Sequence, residues 1–250
     1  MAPELSTDPS APDPSAPDPS GPARPDPDTL TPVAQDYLKA VWSALEWSDD
    51  RVTTGQLADR LGVGPSTVSE TVRRLADQGL LEHEPYRGVG LTALGRSHAL
   101  VMVRRHRLIE TWLVRELGYT WDEVHDEAER LEHAVSDLLV ERLDDRLGRP
   151  VRDPHGDPIP TADGRVVRPD AVPLGALADG ASGVVARISD ADPGALRRLA
   201  VLGIELDVPV TVTGRRERAG TLALAWHADG VARATELDAL AASRIWVVPA

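Results

Sequence analysis

The sequence predicts a multidomain chain, with a mainly α front half followed by a small β-barrel module. Three observations carry this. Apolar residues recur at helical spacing from Thr31 to about Leu147. A segment punctuated by Pro and Gly, 148–165, then ends that pattern. Short β-rich runs take over from about residue 170. The 42% hydrophobic fraction over 250 residues suits a soluble protein with a sizeable core. No apolar run approaches the roughly 18 residues of a membrane span. The N-terminus lacks a basic region followed by an apolar one, so no secretory signal is expected. The absence of cysteine rules out disulfides and thiolate metal sites and agrees with a cytoplasmic location.

Residues 1–30 are Pro, Asp, Ser and Ala, with APDPS in tandem at 11–15 and 16–20. Such a segment cannot bury enough apolar surface to offset its ordering entropy, and it reads as a disordered acidic tail. Val33, Tyr37, Ala40, Val41 and Leu45 then make one apolar helical face.

In Thr54–Leu80, Thr54 caps a short helix, Gly62 and Gly64 permit a tight turn, and Pro65 opens a second helix that Gly79 ends. Leu57, Ala58, Leu61, Val68, Val72 and Leu75 form the inner face. Ser66, Thr67, Ser69, Glu70 and Arg73 form the outer one. This is a helix-turn-helix. Residues 80–95 alternate around RGVG and read as a two-stranded wing with Arg87 at its tip. The predicted DNA contacts are Thr54, Ser66, Thr67, Ser69, Glu70, Arg73 and Arg87. A net charge of −13 opposes phosphate binding globally, but 51–107 carries nine arginines against five acids, which marks this stretch as the DNA face.

Thr120–Gly148 carries the sharpest chemical signal. Thr120 and Glu123 make a capping box, and His125, Glu129, Glu132 and His133 at i, i+4, i+7 and i+8 share one face of the predicted helix. Upstream, His106 and Glu110 form another i, i+4 pair. Imidazole and carboxylate without sulfur suit a divalent cation of the manganese or iron(II) kind. HExxH is absent, and no Glu stands three before His106 or His133, so neither a hydrolytic zinc motif nor a ferritin-like di-iron site is present. His83, His98, His155 and His227 read as ordinary surface or core histidines. In the C-terminal part, Gly183–Ile188, Val208–Thr213 and Thr221–Trp226 read as strands, and Pro193–Leu202 as a helix.

With these elements in this order, the chain resembles the diphtheria toxin repressor family of iron- and manganese-dependent regulators, most specifically in TVSETVRRL, RRHRLIE, VHDEAERLEH and HGDPIP. The resemblance implies a winged helix (31–96), a helical dimerisation and metal-binding domain (97–165) and an SH3-like domain (170–250). It further implies a primary metal site of Asp36, Glu129, Glu132 and His133, and an ancillary site of His106, Glu110 and His125 with Asp192. Asp36 and Glu129 stand where iron-type members have Met and Cys, which favours Mn²⁺ over Fe²⁺. Lys39 stands where manganese-type members often carry an acid. The implied function is metal-activated repression, by a homodimer on double-stranded operator DNA, with no membrane and no small organic substrate. The alternatives are an Fe²⁺-dependent regulator of iron uptake, a metal-independent winged-helix regulator, a metalloenzyme, or an adaptor role for the C-terminal module on a Pro-rich segment such as the tail.

Overall fold

The computed structural model describes residues 26, 29–48, 51–84, 88–216, 218–228 and 230–250. Most of the predicted tail (1–30) and the wing-tip Arg87 lie outside these residues.

Helix α1 (Pro32–Leu45) starts at Thr31, whose hydroxyl accepts from the Ala34 amide at 3.3 Å, with Pro32 in the first turn. Its buried face centres on Leu38 and Val41, while Val33 is 51% exposed. Helix α2 (Thr54–Leu61) is capped by Thr53, one residue before the predicted cap. Thr53 and Gln56 form the capping box, and Gly62 in the left-handed region (φ 64°) ends the helix. Helix α3 (Pro65–Asp77) packs Val68, Val72 and Leu75 onto Leu57 and Ala58. Strands β1 (Leu81–Glu84) and β2 (Gly88–Leu91) pair antiparallel, and Val52 bridges to Val89.

Helix α4 (Ala93–Leu117) is the 25-residue spine of the molecule. It packs on α1 at its start and on α5 (Val124–Leu131) and α6 (Asp137–Arg146) further along. The single helix expected over 120–148 is two helices. The Glu123 carboxylate accepts from the Thr120 amide in a turn ahead of α5, and Ser136 caps α6 by accepting from the Leu139 amide at 3.3 Å. Ser136 competes for backbone hydrogen bonds and favours a new start over continuation. Glu132 and His133 therefore sit in the turn after α5, not on a helical face shared with His125.

A second correction concerns charge. Three of the nine arginines assigned to the DNA face are buried on α4. Arg104 donates to Asp144 at 2.7 Å, Arg105 to Asp137 at 2.7 Å, and Arg107 to Glu46 at 3.0 Å. Burying a cation requires a paired anion, so these side chains hold the interior together and contribute nothing to phosphate binding.

The C-terminal part is a six-stranded antiparallel sheet in the order β3 (Val172–Pro173), β8 (Ile245–Pro249), β4 (Ser182–Ile188), β5 (Pro209–Arg216), β6 (Thr221–Ala228), β7 (Val231–Asp238). Helix α7 (Pro193–Leu202) connects β4 to β5, and α8 (Ala239–Ala242) connects β7 to β8. Val185, Val212, Leu224 and Trp226 fill its core with Leu196 and Leu199 of α7. The expected barrel is not closed, because no pairing joins β3 to β7 among the described residues. At one edge β3 has two residues, one a proline without an N–H. At the other, β7 buries only Leu237.

Candidate metal centre and nucleic-acid interface

Residues of α1, the middle of α4, α5, the 153–157 loop and the end of β4 with the link after it line one polar cleft of about 450 Å³, and the turn after α5 sets Glu132 against Lys39 and His106. Asp36 and Lys39 come from α1, one turn apart. His106 and Glu110 come from α4, also one turn apart. His125 and Glu129 come from α5, Glu132 and His133 from the turn, and Asp190 from the link. Helical spacing aims each pair to one side.

The described residues form overlapping donor clusters whose ligand atoms lie within 4.8 Å of one another. These are Asp36, Glu132 and His133; His106, His125 and Glu129; Glu110, His125 and Asp190; and Glu110, Asp153 and His155. His133 Nε2 lies 2.8 Å from Asp36 Oδ1, and its Nδ1 lies 2.7 Å from Gln35 Oε1. His106 is the bridge between clusters, with Nδ1 2.6 Å from Glu132 Oε2 and Nε2 2.9 Å from Glu110 Oε1. His125 Nδ1 lies 3.3 Å from Glu110 and 3.2 Å from Asp190.

Protons and one ammonium balance these acids. Burial opposes charge on His106, yet the Glu110 carboxylate, helped by Glu132, pushes its pKa up to about 9. Against the same burial, Asp190 and Glu110 push His125 up to about 11. Burial tends to raise the Asp190 and Glu110 carboxyls, but their histidine partners hold both well below the usual range. Burial raises Asp36. The Lys39 ammonium donates to Glu129 at 2.7 Å and to Glu132 at 2.5 Å.

Of the residues assigned to the primary site, Asp36, Glu132 and His133 come together, while Glu129 sides with His106, His125 and Lys39. The ancillary trio His106, Glu110 and His125 is assembled, but Asp192 is not part of it. The Asp192 carboxylate caps α7, accepting from the Ala195 amide at 3.1 Å, and pairs with Arg244. Asp190 takes the place expected of Asp192.

Sequence reasoning also missed Gln35, Asp153 and His155. Asp153 Oδ1 accepts from the amides of His155 at 2.8 Å and Asp157 at 2.9 Å, a turn that fixes the loop. His155 is fully buried, and its Nε2 donates to the Trp121 carbonyl at 2.7 Å. That leaves Nδ1 with no hydrogen-bond partner among the described residues, 3.8 Å from Glu110 Oε2. Burial, together with Asp157 and Glu110, pushes the Asp153 carboxyl up to about 7. A buried imidazole nitrogen without a hydrogen-bond partner, beside two carboxyl groups that favour a positive charge there, fits a divalent cation in place of protons. The oxygen and nitrogen donor set, without sulfur, fits a hard to borderline one. The usable signal was the DPHGD run itself, an Asp two residues before a His in a turn.

At the other end, Ser66, Thr67, Ser69, Glu70 and Arg73 line the exposed face of α3, and Thr54 is half-buried at the start of α2. The Ser69 hydroxyl donates to the Pro65 carbonyl at 2.9 Å. This face presents small hydroxyls and one guanidinium from the second helix of a helix-turn-helix, a shape suited to a major groove.

Comparison with known proteins gives three family matches in order. The iron dependent repressor N-terminal DNA binding domain matches residues 29–89. The iron dependent repressor metal binding and dimerisation domain matches 92–161, and the FeoA domain 172–249. The chain is 38% identical over 131 residues to the iron-dependent repressor IdeR of Mycobacterium leprae, covering 52% of this chain and 56% of that protein. It is 36% identical over 136 residues to the diphtheria toxin repressor of Corynebacterium diphtheriae, covering 54% and 59%. The match thus spans a little over half the length of these curated relatives. A solved manganese-dependent transcriptional repressor in complex with manganese is 57% identical, with TM-score 0.83, covering 87% of this chain and all of that one. The manganese regulator SloR is 31% identical, with TM-score 0.74, covering 88% and 100%.

Proposed function

Because the chain belongs to the diphtheria toxin repressor family of metal-dependent transcriptional repressors, we propose that it is a Mn²⁺-activated repressor that binds operator DNA as a homodimer. Residues 31–96 bind DNA, 97–165 dimerise and hold metal, and 170–250 form the SH3-like domain. One observation carries the metal reading. Asp36 of the DNA-binding half and Glu132 and His133 of the following half meet at ligand distance.

A bound divalent cation supplies the charge that lets these groups stay together without protons. Asp36 then ties α1, and through its packing the helix-turn-helix, to the turn after α5. The clusters next to it, His106 with His125 and Glu129, and Glu110 with His125 and Asp190 or with Asp153 and His155, would hold a second cation. Ligand binding shifts an equilibrium only by its differential affinity. With free metal at 100 times the Kd of the competent form, the shift is about 2.7 kcal/mol. That corresponds to an approximately hundredfold change in DNA affinity.

Mn²⁺ is preferred to Fe²⁺ because Asp36 and Glu129 put hard oxygen where iron-type members of the family carry the sulfur of Met and Cys. Operator binding titrated in parallel with Mn²⁺, Fe²⁺ and Zn²⁺ tests this, and Mn²⁺ is expected to act at the lowest free concentration that is physiological for it. Glu132→Ala and His133→Ala are each expected to abolish metal-dependent binding in gel shift. Metal-dependent binding that survives in both variants removes the assignment.

A further inference from the structure

Lys39 is the only lysine in 250 residues, beside 26 arginines. It lies on α1 one turn after Asp36, is 8% exposed, and places its ammonium against Glu129 and Glu132. Elsewhere this chain builds its buried ion pairs from arginine, as at Arg104–Asp144, Arg105–Asp137 and Arg107–Glu46. The exception falls where two carboxylates of the proposed metal centre converge. A guanidinium is a planar fork fixed in orientation, whereas an ammonium is a compact point charge on a flexible stem. The ammonium can take the same oxygens as a metal cation and can also leave them.

We propose that Lys39 is a built-in competitor of the activating metal. Its ammonium occupies Glu129 and Glu132 in the metal-free protein and is displaced when a divalent cation binds. Lys39 thereby sets the metal concentration at which the centre fills. This rests on the reading of the protein as metal-activated. The occupied oxygens are the ones required: Glu132 Oε1, 2.5 Å from Lys39 Nζ, also faces His133 Nε2 at 3.6 Å. The displaced side chain has somewhere to go, since Lys39, Ala40, Ser43 and Glu46 line the adjoining cleft of about 450 Å³. In the metal-free state the same contact ties α1 to α5 and its turn, holding the two halves close to the arrangement the metal completes.

The test compares wild type with Lys39→Gln, using calorimetric titration with MnCl₂ and thermal melting of the metal-free proteins. The variant is expected to bind Mn²⁺ at least tenfold more tightly and, without metal, to melt at lower temperature. The single lysine permits a second measurement on the unaltered protein. Acetylation by an amine-reactive ester, read by peptide mass spectrometry, should be slow at Lys39 without Mn²⁺ and several-fold faster with it. If the variant does not fold, this labelling decides alone. Equal or weaker Mn²⁺ binding by a folded Lys39→Gln, or labelling indifferent to Mn²⁺ where that variant does not fold, overturns the competitor role and leaves the metal reading standing. Failure of both proteins to bind Mn²⁺ removes the metal reading and the proposal together.

Discussion

Asp190 and Asp192, separated by one residue, have opposite surroundings. Asp190 turns inward to His125, while Asp192 caps α7 and meets Arg244. Asp190→Asn is therefore expected to weaken binding of the second cation about tenfold or more. Asp192→Asn should leave that binding unchanged and lower stability only slightly, since asparagine also caps a helix. Titration calorimetry on the two variants separates them, and the reverse ranking would reassign the ligand. The His106 pKa of about 9 makes a second prediction. Its ordinary value is about 6.5, so the folded value is raised. The stabilisation it gives the metal-free protein is complete below about pH 6.5 and is lost as pH rises through about 9. Melting temperature of the metal-free protein should fall over that window, and fall less in His106→Gln. A metal needs the same ring nitrogens free of protons, so Mn²⁺ affinity should rise over the same window. The i, i+4 pairs His106/Glu110 and His125/Glu129 were legible because helical spacing alone places them. His155 was not, because its meeting with Glu110 depends on how an irregular loop packs against α4.

That loop is the element on which the second cluster depends. Its conformation hangs on Gly156, which has φ 94° and lies so close to β4 that a Cβ on it would collide with the Ala186 carbonyl oxygen. Any side chain there meets backbone, which cannot swing aside. Gly156→Ala is expected to cost about 1–3 kcal/mol from the backbone conformation alone. It should also push Asp153 and His155 away from Glu110, so that one of two Mn²⁺ equivalents is lost while the Asp36 cluster still titrates. Retention of both equivalents would show that the loop does not build a site. At this scale the sequence was most readable where local chemistry and packing agree: the Gly62 turn, the Pro65 helix start, and α7 over Pro193–Leu202. It was least readable where a cap interrupts a continuous apolar pattern, as Ser136 does between α5 and α6, and at β7, whose exposed face carries little periodic signal.

Across the whole molecule, the sheet domain is joined to the helical half by a stack around the buried Arg187. Arg187 of β4 lies over Trp47, 4.9 Å from its ring centroid, and over Trp246 of β8 at 4.3 Å. Arg187 Nε and Trp47 Nε1 both donate to Asp157 Oδ1, at 2.6 and 2.7 Å. Arg107 reaches the same carboxylate at 3.6 Å and pairs with Glu46 at the end of α1. One chain of charges thus runs from the sheet through the 153–157 loop to α4 and α1, the segments that carry metal-site residues. Nothing in composition or periodicity announces it, because its members are scattered from Glu46 to Trp246. A desolvated cation–π contact contributes about 2 kcal/mol, and removing one member of a buried ion pair costs about 3–5 kcal/mol. Arg187→Leu keeps an apolar stem between the two indoles and removes the charge. It is expected to split thermal unfolding into two calorimetric transitions, with the sheet domain melting first. Because Asp190 reaches His125 from the sheet side, the same variant should bind the second cation more weakly. By reciprocity, saturating Mn²⁺ should draw the two transitions back together. A single transition at the wild-type temperature would mean that the stack only fills space, and that the sheet domain is held to the metal centre by Asp190 and the loop alone.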